Sequence, residues 1–569
     1  MYKEVYELWC KKAVEDPSLI KELESIKDNS EAISDAFYCD LEFGTAGLRG
    51  VIGAGTNRMN IYTVGKASQG LAAYVNSRTD KGSIAIAYDS RIKSEDFAKT
   101  AAEIFAANGI KVYIYSELMP TPMLSYAVRK LKCDAGVVVT ASHNPAKYNG
   151  YKAYDETGCQ LGPEAADYVL SIMNGIDIFD GVKKMDFEEG LKSGIIEFIG
   201  EDLIQSYLDE VQKTRVSTDI DLSGLKVIFT PLHGAGNRPV RSILDRIGIT
   251  DVTVVPSQEM PDGNFPTVPF PNPEFRQAFE ESLKIAKDSN PDLLLATDPD
   301  CDRVGIAVNI KGEYKLLTGN DVGVLLLDYM LSRKKEMGTL AKDPIAVKSI
   351  VTTDLCKKVA KEYGCELIDV LTGFKFIGEQ ITALAEKGEE DRYILGFEES
   401  YGYLAGSFAR DKDAVVASML ICEMTAYYKT KNLTLIDVLD GIYKKHGYFY
   451  CMQKSFTCEG QTGMEKIKNI MTTLRENPPK EIANSKVVLI KDFGSQKSID
   501  CASGKEDTID LPKSNVIGFY LEDESYLIVR PSGTEPKIKI YVSAVGKDSD
   551  SADKRRTDIE KAGTQLLGF

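Results

Sequence analysis

The amino-acid sequence predicts an α/β protein in which three topologically similar βαβαβ domains with mixed sheets and a C-terminal α+β domain surround a central cleft. The 569 residues are too many for one hydrophobic core, since single domains typically hold about 100–200 residues. Short apolar strands alternate with helical segments, which is typical of βαβ units in a parallel or mixed sheet. This pattern occurs three times, and the third strand of each unit ends in an unusual polar loop.

The composition is that of an acidic globular chain. Lysine and arginine number 69 against 85 aspartates and glutamates, giving a formal net charge of −16. Such a chain is not drawn to a nucleic-acid backbone or an anionic bilayer, and no apolar run reaches the roughly 18 residues of a membrane span. The 11 cysteines contain no Cys-x-x-Cys pair, which suits a reducing cytoplasm. We therefore expect a cytoplasmic protein without nucleic-acid or membrane partners. We also expect a small-molecule ligand and a monomer or weak dimer.

The domain boundaries are predicted where the strand–helix alternation pauses. Tyr2, Tyr6 and Trp9 recur at helical spacing, which predicts an N-terminal helical extension over residues 1–40. Four domains are then expected, over residues 41–215, 216–318, 319–446 and 447–569.

The first domain places a serine at the end of a strand. Its predicted elements are a strand over 83–88, a helix from Ser94 to Gly109, a strand over 110–115, a helix after Pro122 and a strand over 135–139. The last strand runs into Thr-Ala-Ser-His-Asn-Pro at 140–145, and open α/β sheets bind ligands at the carboxyl ends of their strands. Ser142 is therefore a candidate nucleophile, with His143 beside it, although a serine alone does not establish one.

The second domain ends its third strand, predicted over 292–297, in three alternating aspartates, Asp298, Asp300 and Asp302. An extended backbone would place all three carboxylates on one side, and oxygen ligands suit Mg²⁺, Mn²⁺ or Ca²⁺. An EF-hand loop is excluded because Arg303 stands where that loop needs glycine and Asn309 where it needs glutamate. The alternative is a solvated acidic turn.

The third and fourth domains supply polar loops suited to a sugar and to a phosphate. Glu398 and Ser400 follow a predicted strand over 393–395 and could hydrogen-bond neighbouring sugar hydroxyls, although acidic turns are common. In the C-terminal domain, whose strands suggest a mixed sheet, residues 530–537 offer a guanidinium, hydroxyls, an ammonium and an approachable backbone at Gly533. Those are the parts of a phosphate cradle; the alternative is an ordinary turn between two strands.

A charge argument connects these loops. A phosphorylated Ser142 would carry nearly −2, so with three carboxylates and a divalent cation the site would hold about −3 before an anionic ligand arrived. Cations are therefore needed, and the motif loops supply Arg49, Lys152, Arg303 and Lys412. His143 would add to them if protonated.

Four motifs, in this order, resemble those of the α-D-phosphohexomutase superfamily, in particular its phosphoglucomutase and phosphopentomutase-type branch. They are Thr-Ala-Ser-His-Asn-Pro at 140–145, Asp-Pro-Asp-Cys-Asp-Arg at 298–303, Phe-Glu-Glu-Ser-Tyr-Gly at 397–402 and Arg-Pro-Ser-Gly-Thr at 530–534. The resemblance covers essentially the whole chain after the N-terminal helices. The metal loop often has alanine where Cys301 stands, a small change that keeps all three ligands.

The resemblance implies a role for each motif. Ser142 would be phosphorylated and hold one Mg²⁺ per chain together with Asp298, Asp300 and Asp302, while Lys152 would move a proton on and off the sugar hydroxyl. Arg49 and Arg303 would steady phosphoryl oxygens, with His143 and Lys412 in the same catalytic group. Substrate binding would fall to Glu398, Ser400, Gly373, Arg530, Ser532, Gly533, Thr534 and Lys537.

The expected activity is the interconversion of glucose 1-phosphate and glucose 6-phosphate, with glucose 1,6-bisphosphate as activator and intermediate. The alternatives are a phosphopentomutase, a phosphomannomutase and a synthase of glucose 1,6-bisphosphate. The sugar loop lacks the Gly-Glu-Met-Ser-Gly-His form of dual phosphomannomutase/phosphoglucomutase enzymes, which disfavours mannose phosphate as the main substrate. A non-catalytic phosphosugar- or metal-binding protein is the alternative from another class, and it has no need of a nucleophilic serine.

Overall fold

The computed structural model describes residues 2–44, 47–458, 460–532 and 537–569. The chain forms two compact units, one of Met1–Gly319 with Ile377–Asn432 and one of Asn320–Phe376 with Leu433–Phe569. None of the helices within the described ranges is long and apolar enough to cross a membrane.

The N-terminal extension consists of three short helices around one tryptophan. These are α1 (Tyr2–Lys12), α2 (Pro17–Ile26) and α3 (Ser30–Phe37). The Trp9 ring makes edge-to-face contacts with Phe37, Tyr62 and Phe179, at centroid distances of 5.7, 5.5 and 5.4 Å. Since Tyr62 and Phe179 belong to the following segment, the extension is packed onto the first sheet domain.

The first domain has a six-stranded mixed sheet in the order β1-β5-β4-β2-β3-β6. The strands are β1 (Leu48–Val51), β2 (Ser83–Tyr88), β3 (Lys111–Tyr115), β4 (Ala135–Val139), β5 (Tyr148–Asp155) and β6 (Ile196–Ile199). The helices are α4 (Ile61–Arg78), α5 (Ser94–Ala107), α6 (Thr121–Leu131), α7 (Pro163–Met173), α8 (Phe187–Ser193) and α9 (Glu201–Lys213). β2 is parallel to β3 and β4, whereas β5 returns antiparallel to β4. The residue at the N-cap of α5 is Lys93, with φ +67° and no capping side chain, rather than Ser94, whose hydroxyl bonds Asp89 instead.

The second domain repeats the plan with five strands in the order β11-β10-β9-β7-β8. The strands are β7 (Lys226–Thr230), β8 (Asp251–Val254), β9 (Leu293–Thr297), β10 (Val304–Ile310) and β11 (Glu313–Leu316). The helices are α10 (Asn237–Arg246), α11 (Pro256–Glu259) and α12 (Glu280–Ser289). All five residues of β9 are buried, so the aspartates that follow come directly after a core strand.

The third α/β segment is divided between the two units. β12 (Ile345–Ser349) and β13 (Glu366–Val370) pair in parallel in one unit, and β14 (Tyr393–Glu398) and β15 (Gly402–Leu404) pair antiparallel in the other. Its helices are α13 (Gly319–Glu336), α14 (Leu355–Glu362), α15 (Phe374–Glu386), α16 (Ala414–Thr430) and α17 (Leu435–His446). β14 is longer than the sequence predicts, so Glu398 is the last residue of a strand rather than part of a loop.

The C-terminal segment corrects one expectation, because its sheet is antiparallel in every described pairing rather than mixed. The strands are β16 (Tyr448–Thr457), β17 (Glu481–Ile482), β18 (Ser485–Asp492), β19 (Lys497–Asp500), β20 (Glu506–Thr508), β21 (Ile517–Leu521), β22 (Tyr526–Pro531) and β23 (Lys537–Gly546). The helices are α18 (Gly460–Glu476) and α19 (Ser549–Leu566). Short turns join β18 to β19 and β21 to β22, and antiparallel neighbours need no helical crossover.

Candidate active site

Ser142 lies in a turn that directs its hydroxyl at the acidic loop of the second domain. β4 ends at Val139, and Ser142 takes a left-handed backbone conformation with φ +52°. Such a φ is uncommon outside glycine and is often found at functional sites. The Ser142 Oγ donates a hydrogen bond of 2.7 Å to Asp298 Oδ2, and the residue is only 4% exposed. The nucleophile candidate and the metal-ligand candidate are thus in direct contact.

The three aspartates converge through a tight turn, and the expectation of an extended backbone was wrong. Asp298 Oδ1 accepts hydrogen bonds from the backbone N–H groups of Asp302 and Arg303, at 3.0 and 2.9 Å, and Cys301 has φ +52°. One ligand atom from each of Asp298, Asp300 and Asp302 lies within 4.8 Å of the others. The turn curls around the first carboxylate, and this brings the other two beside it.

A second loop, residues 233–235, packs against the acidic turn at Pro299. The Ala235 N–H donates to the Pro299 carbonyl at 2.7 Å, and a Cβ on Gly234 would lie 2.4 Å from Pro299 Cα. His233, conspicuous in a chain with only three histidines, has its Nε2 2.9 Å from Thr267 Oγ1 and its Nδ1 3.2 Å from the Met260 carbonyl. This histidine therefore anchors the 260–267 loop.

The carboxylates respond differently to their common burial. Burial and the charges of Asp300 and Asp302 raise the pKa of Asp298 well above its ordinary value. Burial would also raise the pKa of Asp300, but Lys152, 2.8 Å away, outweighs it and holds that pKa well below the usual range. Burial and the charge of Asp300 would raise the pKa of Asp302, but the net effect of its neighbours is to lower it. The cause is the pair of ammonium groups of Lys412 and Lys152, whose Nζ atoms lie 3.1 and 3.3 Å from Asp302 Oδ2. Two buried lysines thus keep two of the three aspartates ionised.

The acidic cluster fits a divalent cation. Oδ1 of Asp300 and Oδ1 of Asp302 are buried and have no hydrogen-bond partner within the described parts of the chain. A buried carboxylate oxygen without a partner is costly, and a hard cation is the usual partner of clustered carboxylates. Asp298, Asp300, Asp302 and Ser142 are the residues that would hold it.

Thr121 supports this cluster and was missed by the sequence reasoning. Its Oγ1 donates to Asp300 Oδ2 at 2.9 Å, and its N–H donates to the Asp300 carbonyl at 2.9 Å. It opens α6, next to Pro122, and is fully buried. A threonine before a proline at a helix start signals a cap, and nothing local shows a partner 179 residues away.

Lys152 reaches the carboxylates from strand β5, and Lys412 reaches them from the loop before α16. Lys152 lies on β5, where it pairs with Val138 of the strand that leads to Ser142. Burial lowers its pKa, but Asp300 and Asp302 more than compensate, so the Lys152 ammonium is charged. Lys412 Nζ also contacts Asp411, at 3.0 Å, and a Cβ on Gly402 would lie 2.2 Å from the Lys412 side chain. A side chain at position 402 would therefore collide with the Lys412 side chain in its present conformation.

The other basic residues predicted for the site, Arg303, Arg49 and His143, belong to the same unit as this cluster. Arg303 follows the acidic turn, and its Nη1 donates to Glu274 Oε1 at 2.7 Å. Arg49, exposed on β1, is paired with Gly150 of β5. His143 Nδ1 is 3.1 Å from Ser142 Oγ, but burial together with Arg303 and Arg49 lowers the His143 pKa well below its ordinary value. His143 is therefore neutral at pH 7 and does not add the positive charge considered for it.

The residues predicted to bind a sugar and a phosphate are only partly described. Glu398 is the last residue of β14, and Ser400 lies in the turn between β14 and β15. In the same turn the Tyr401 carbonyl accepts a hydrogen bond of 3.1 Å from the N–H of Val304, which follows the acidic turn. Gly373, with φ +123°, Arg530, Ser532 and Lys537 belong to the other unit, where the Ser532 N–H donates to the Lys537 carbonyl at 2.8 Å. Gly533 and Thr534 lie outside the described residues.

Family models place the chain among the sugar-phosphate mutases. The models for phosphoglucomutase/phosphomannomutase alpha/beta/alpha domains I, II and III match residues 40–178, 205–311 and 318–446. The chain belongs to the phosphoglucomutase/phosphomannomutase family. The resemblance inferred from the motifs is confirmed, and so is the prediction of three α/β domains followed by a C-terminal domain.

Individual relatives match along nearly the full length. The chain is 37% identical to the phosphoglucomutase of Staphylococcus aureus strain MRSA252 over 96% of this chain and 97% of that protein. It is 39% identical to the phosphoglucomutase of Staphylococcus epidermidis over 93% and 95%. The fold matches the solved structure of Paramecium parafusin, a phosphoglucomutase in an open form, with a TM-score of 0.68 and 20% identity, over 93% of this chain and 95% of that one. It also matches a phosphoglucomutase/phosphomannomutase family protein of Burkholderia thailandensis, with a TM-score of 0.66 and 17% identity, over 92% of this chain and 97% of that one.

Proposed function

We propose that this chain is a phosphoglucomutase that interconverts glucose 1-phosphate and glucose 6-phosphate through a phosphoserine at Ser142 and a bisphosphorylated sugar. The observation that carries the proposal is the 2.7 Å contact between Ser142 Oγ and Asp298 inside a buried acidic triad flanked by two lysines. The identity of 37–39% to phosphoglucomutases over most of the chain supports glucose phosphate as the substrate.

The reaction consists of two phosphoryl transfers of opposite direction. In the first, the bond between phosphorus and Ser142 Oγ breaks as a sugar hydroxyl oxygen bonds to the phosphorus. The hydroxyl proton leaves and Ser142 Oγ regains one, so a proton shuttle is needed beside the serine. The second transfer reverses these changes from the other phosphate of the bisphosphorylated sugar, and glucose 1,6-bisphosphate would also serve as the activator that phosphorylates Ser142.

Lys152 is the residue assigned to the proton shuttle. Its charged ammonium contacts Asp300 of the triad whose Asp298 contacts Ser142 Oγ. In the proposed reaction Lys152 would donate a proton to Ser142 Oγ and recover one from the attacking hydroxyl. His143 is also within reach of Ser142 Oγ, but its lowered pKa makes it a poor holder of a proton. One Mg²⁺ per chain, held by the three aspartates and the phosphoserine, would offset negative charge during transfer.

The substrate-binding assignments follow the family motifs. Arg49, Arg303 and Lys412 would neutralise phosphoryl oxygens near Ser142, while Glu398 and Ser400 would hold sugar hydroxyls. The phosphate that does not react would be bound by residues of the C-terminal loop, together with one glycine of the third segment. These are Arg530, Ser532, Gly533, Thr534 and Lys537, with Gly373. We place the enzyme in the cytoplasm, as a monomer or weak dimer without nucleic-acid or membrane partners.

A substrate panel tests the proposal. With Mg²⁺ and glucose 1,6-bisphosphate present, turnover of glucose 1-phosphate should exceed that of ribose 1-phosphate and mannose 1-phosphate; a large preference for the pentose would make the chain a phosphopentomutase. Intact-mass measurement after incubation with glucose 1,6-bisphosphate should show one added phosphoryl group, which Ser142→Ala should lack while keeping its fold. A wild-type protein that carries no phosphate on Ser142 even after this incubation would refute the phosphoserine mechanism and favour a non-catalytic binding protein.

A further inference from the structure

The turn between β2 and α5 places a buried arginine against the Ser142 loop. The Arg91 side chain has no exposed surface. Its Nη1 donates to the carbonyls of Pro145 and Tyr148, both at 3.0 Å, and its Nη2 donates to the carbonyls of Ser142, at 2.5 Å, and Asn144. One guanidinium thus donates hydrogen bonds to four backbone carbonyl groups of the segment that follows β4.

The same turn also holds the other side of the Ser142 backbone. Asp89 Oδ2 accepts a hydrogen bond of 2.6 Å from Thr140 Oγ1, and Thr140 Oγ1 in turn accepts the Ser142 N–H at 2.8 Å. Asp89 Oδ1 accepts from Ser94 Oγ at 2.7 Å and from the Arg91 N–H at 2.9 Å, so its position is fixed. The N–H of Ser142 is therefore held by way of Asp89 and its carbonyl by Arg91.

The second domain covers this turn. The Phe265 ring lies 5.0 Å from Arg91 Cζ, and a Cβ on Gly263 would lie 2.4 Å from the Ile92 nitrogen. Asp89 Oδ2 is 3.4 Å from Arg91 Nε and supplies the compensating charge that a buried guanidinium needs. Lysine could not replace this arrangement, because a single ammonium lacks the planar fork that reaches several acceptors at once.

We infer that Arg91 and Asp89 are positioning residues that hold Ser142 in its left-handed conformation, so that its hydroxyl stays aimed at the acidic triad. The role rests on the proposed function, since it concerns the geometry of phosphoryl transfer. The φ of +52° is unfavourable for serine and persists only where the surroundings fix it. Hydrogen bonds to both backbone groups of Ser142 provide that fixation.

The decisive variant is Arg91→Lys, which keeps the charge and removes the fork. We expect kcat to fall by about 10²-fold, the order of loss that a misplacement of about 1 Å can cause, with KM for glucose 1-phosphate little changed. Arg78→Lys is the matched control, because Arg78 is a half-exposed arginine on α4 paired with Glu156, and it should behave as the wild type. A general loss of structure would instead lower the amount of active enzyme and the melting temperature together.

Hydrogen–deuterium exchange of the peptide that contains residues 140–148 gives a readout independent of turnover. Arg91→Lys should increase exchange in this peptide and slow the phosphorylation of Ser142 by glucose 1,6-bisphosphate. Thr140→Val, which removes the acceptor of the Ser142 N–H without changing side-chain shape, should do the same if Arg91→Lys does not fold. Wild-type kcat and unchanged exchange in either folded variant would overturn the inference. If the wild-type protein carries no phosphate on Ser142 even after incubation with glucose 1,6-bisphosphate, the proposed function fails, and the exchange data still decide whether the turn holds the loop.

Discussion

Lys152→Met should make the acidic cluster dependent on a cation. The three aspartates and the two lysines that contact them carry a formal −1 when all are ionised, and removal of Lys152 makes this −2. Breaking a buried pair by deleting one partner typically costs about 3–5 kcal/mol. The variant without metal should therefore lose stability of that order in the unit that contains the cluster.

The same substitution should strengthen metal binding. Two unit charges about 4–5 Å apart, at an effective dielectric constant near 20, interact by about 3–4 kcal/mol, which corresponds to roughly 10²–10³-fold in affinity. Thermal unfolding in EDTA and across a Mg²⁺ titration would show a large deficit without metal that shrinks as Mg²⁺ is added, as expected for a ligand that binds the folded state.

Lys147→Met is the matched control for this prediction. Lys147 is an exposed lysine just before β5, so its loss changes the net charge equally without touching the cluster. A Lys152→Met deficit that is the same in EDTA and in saturating Mg²⁺ would refute the electrostatic reasoning. So would a deficit no larger than that of Lys147→Met.

Three further outcomes are expected. Burial raises the pKa of Asp413 to about 6, so the folded state binds more protons than the unfolded state between pH 4 and 6. The free energy of unfolding should therefore fall by about 3 kcal/mol as pH rises through this window. Asp413→Asn, which keeps a good helix cap, should therefore gain stability over the wild type at pH 8 relative to pH 4 in urea unfolding. Gly234→Ala should displace the backbone at Pro299, which is 2.4 Å from the new Cβ, and calorimetry should show weaker Mg²⁺ binding, whereas unchanged affinity would mean that the turn adapts. Thr121→Val should leave a buried Asp300 oxygen with one fewer donor and cost about 1–3 kcal/mol in unfolding measurements; a neutral effect would show that water or metal replaces the hydroxyl.

The sequence by itself determined the three α/β domains and the places where chemistry is concentrated. Apolar runs such as 135–139 and 293–297 specify buried strands through their own composition, and the polar residues that follow must leave the sheet at its edge. The family resemblance and the buried aspartate cluster follow from the same local signals. Those signals did not show the antiparallel order of the C-terminal sheet, since strand direction depends on which neighbours pair.

Only the tertiary structure decided how Ser142 and the aspartates are held. The turn at 298–302 closes through hydrogen bonds to Asp298, not through the alternation of residues that suggested an extended strand. Thr121 reaches Asp300 across 179 residues, and Arg91 reaches the Ser142 carbonyl across 51. Contacts of this kind depend on the packing of distant segments, and a buried arginine or threonine has the same local pattern whether it supports a catalytic loop or an ordinary turn.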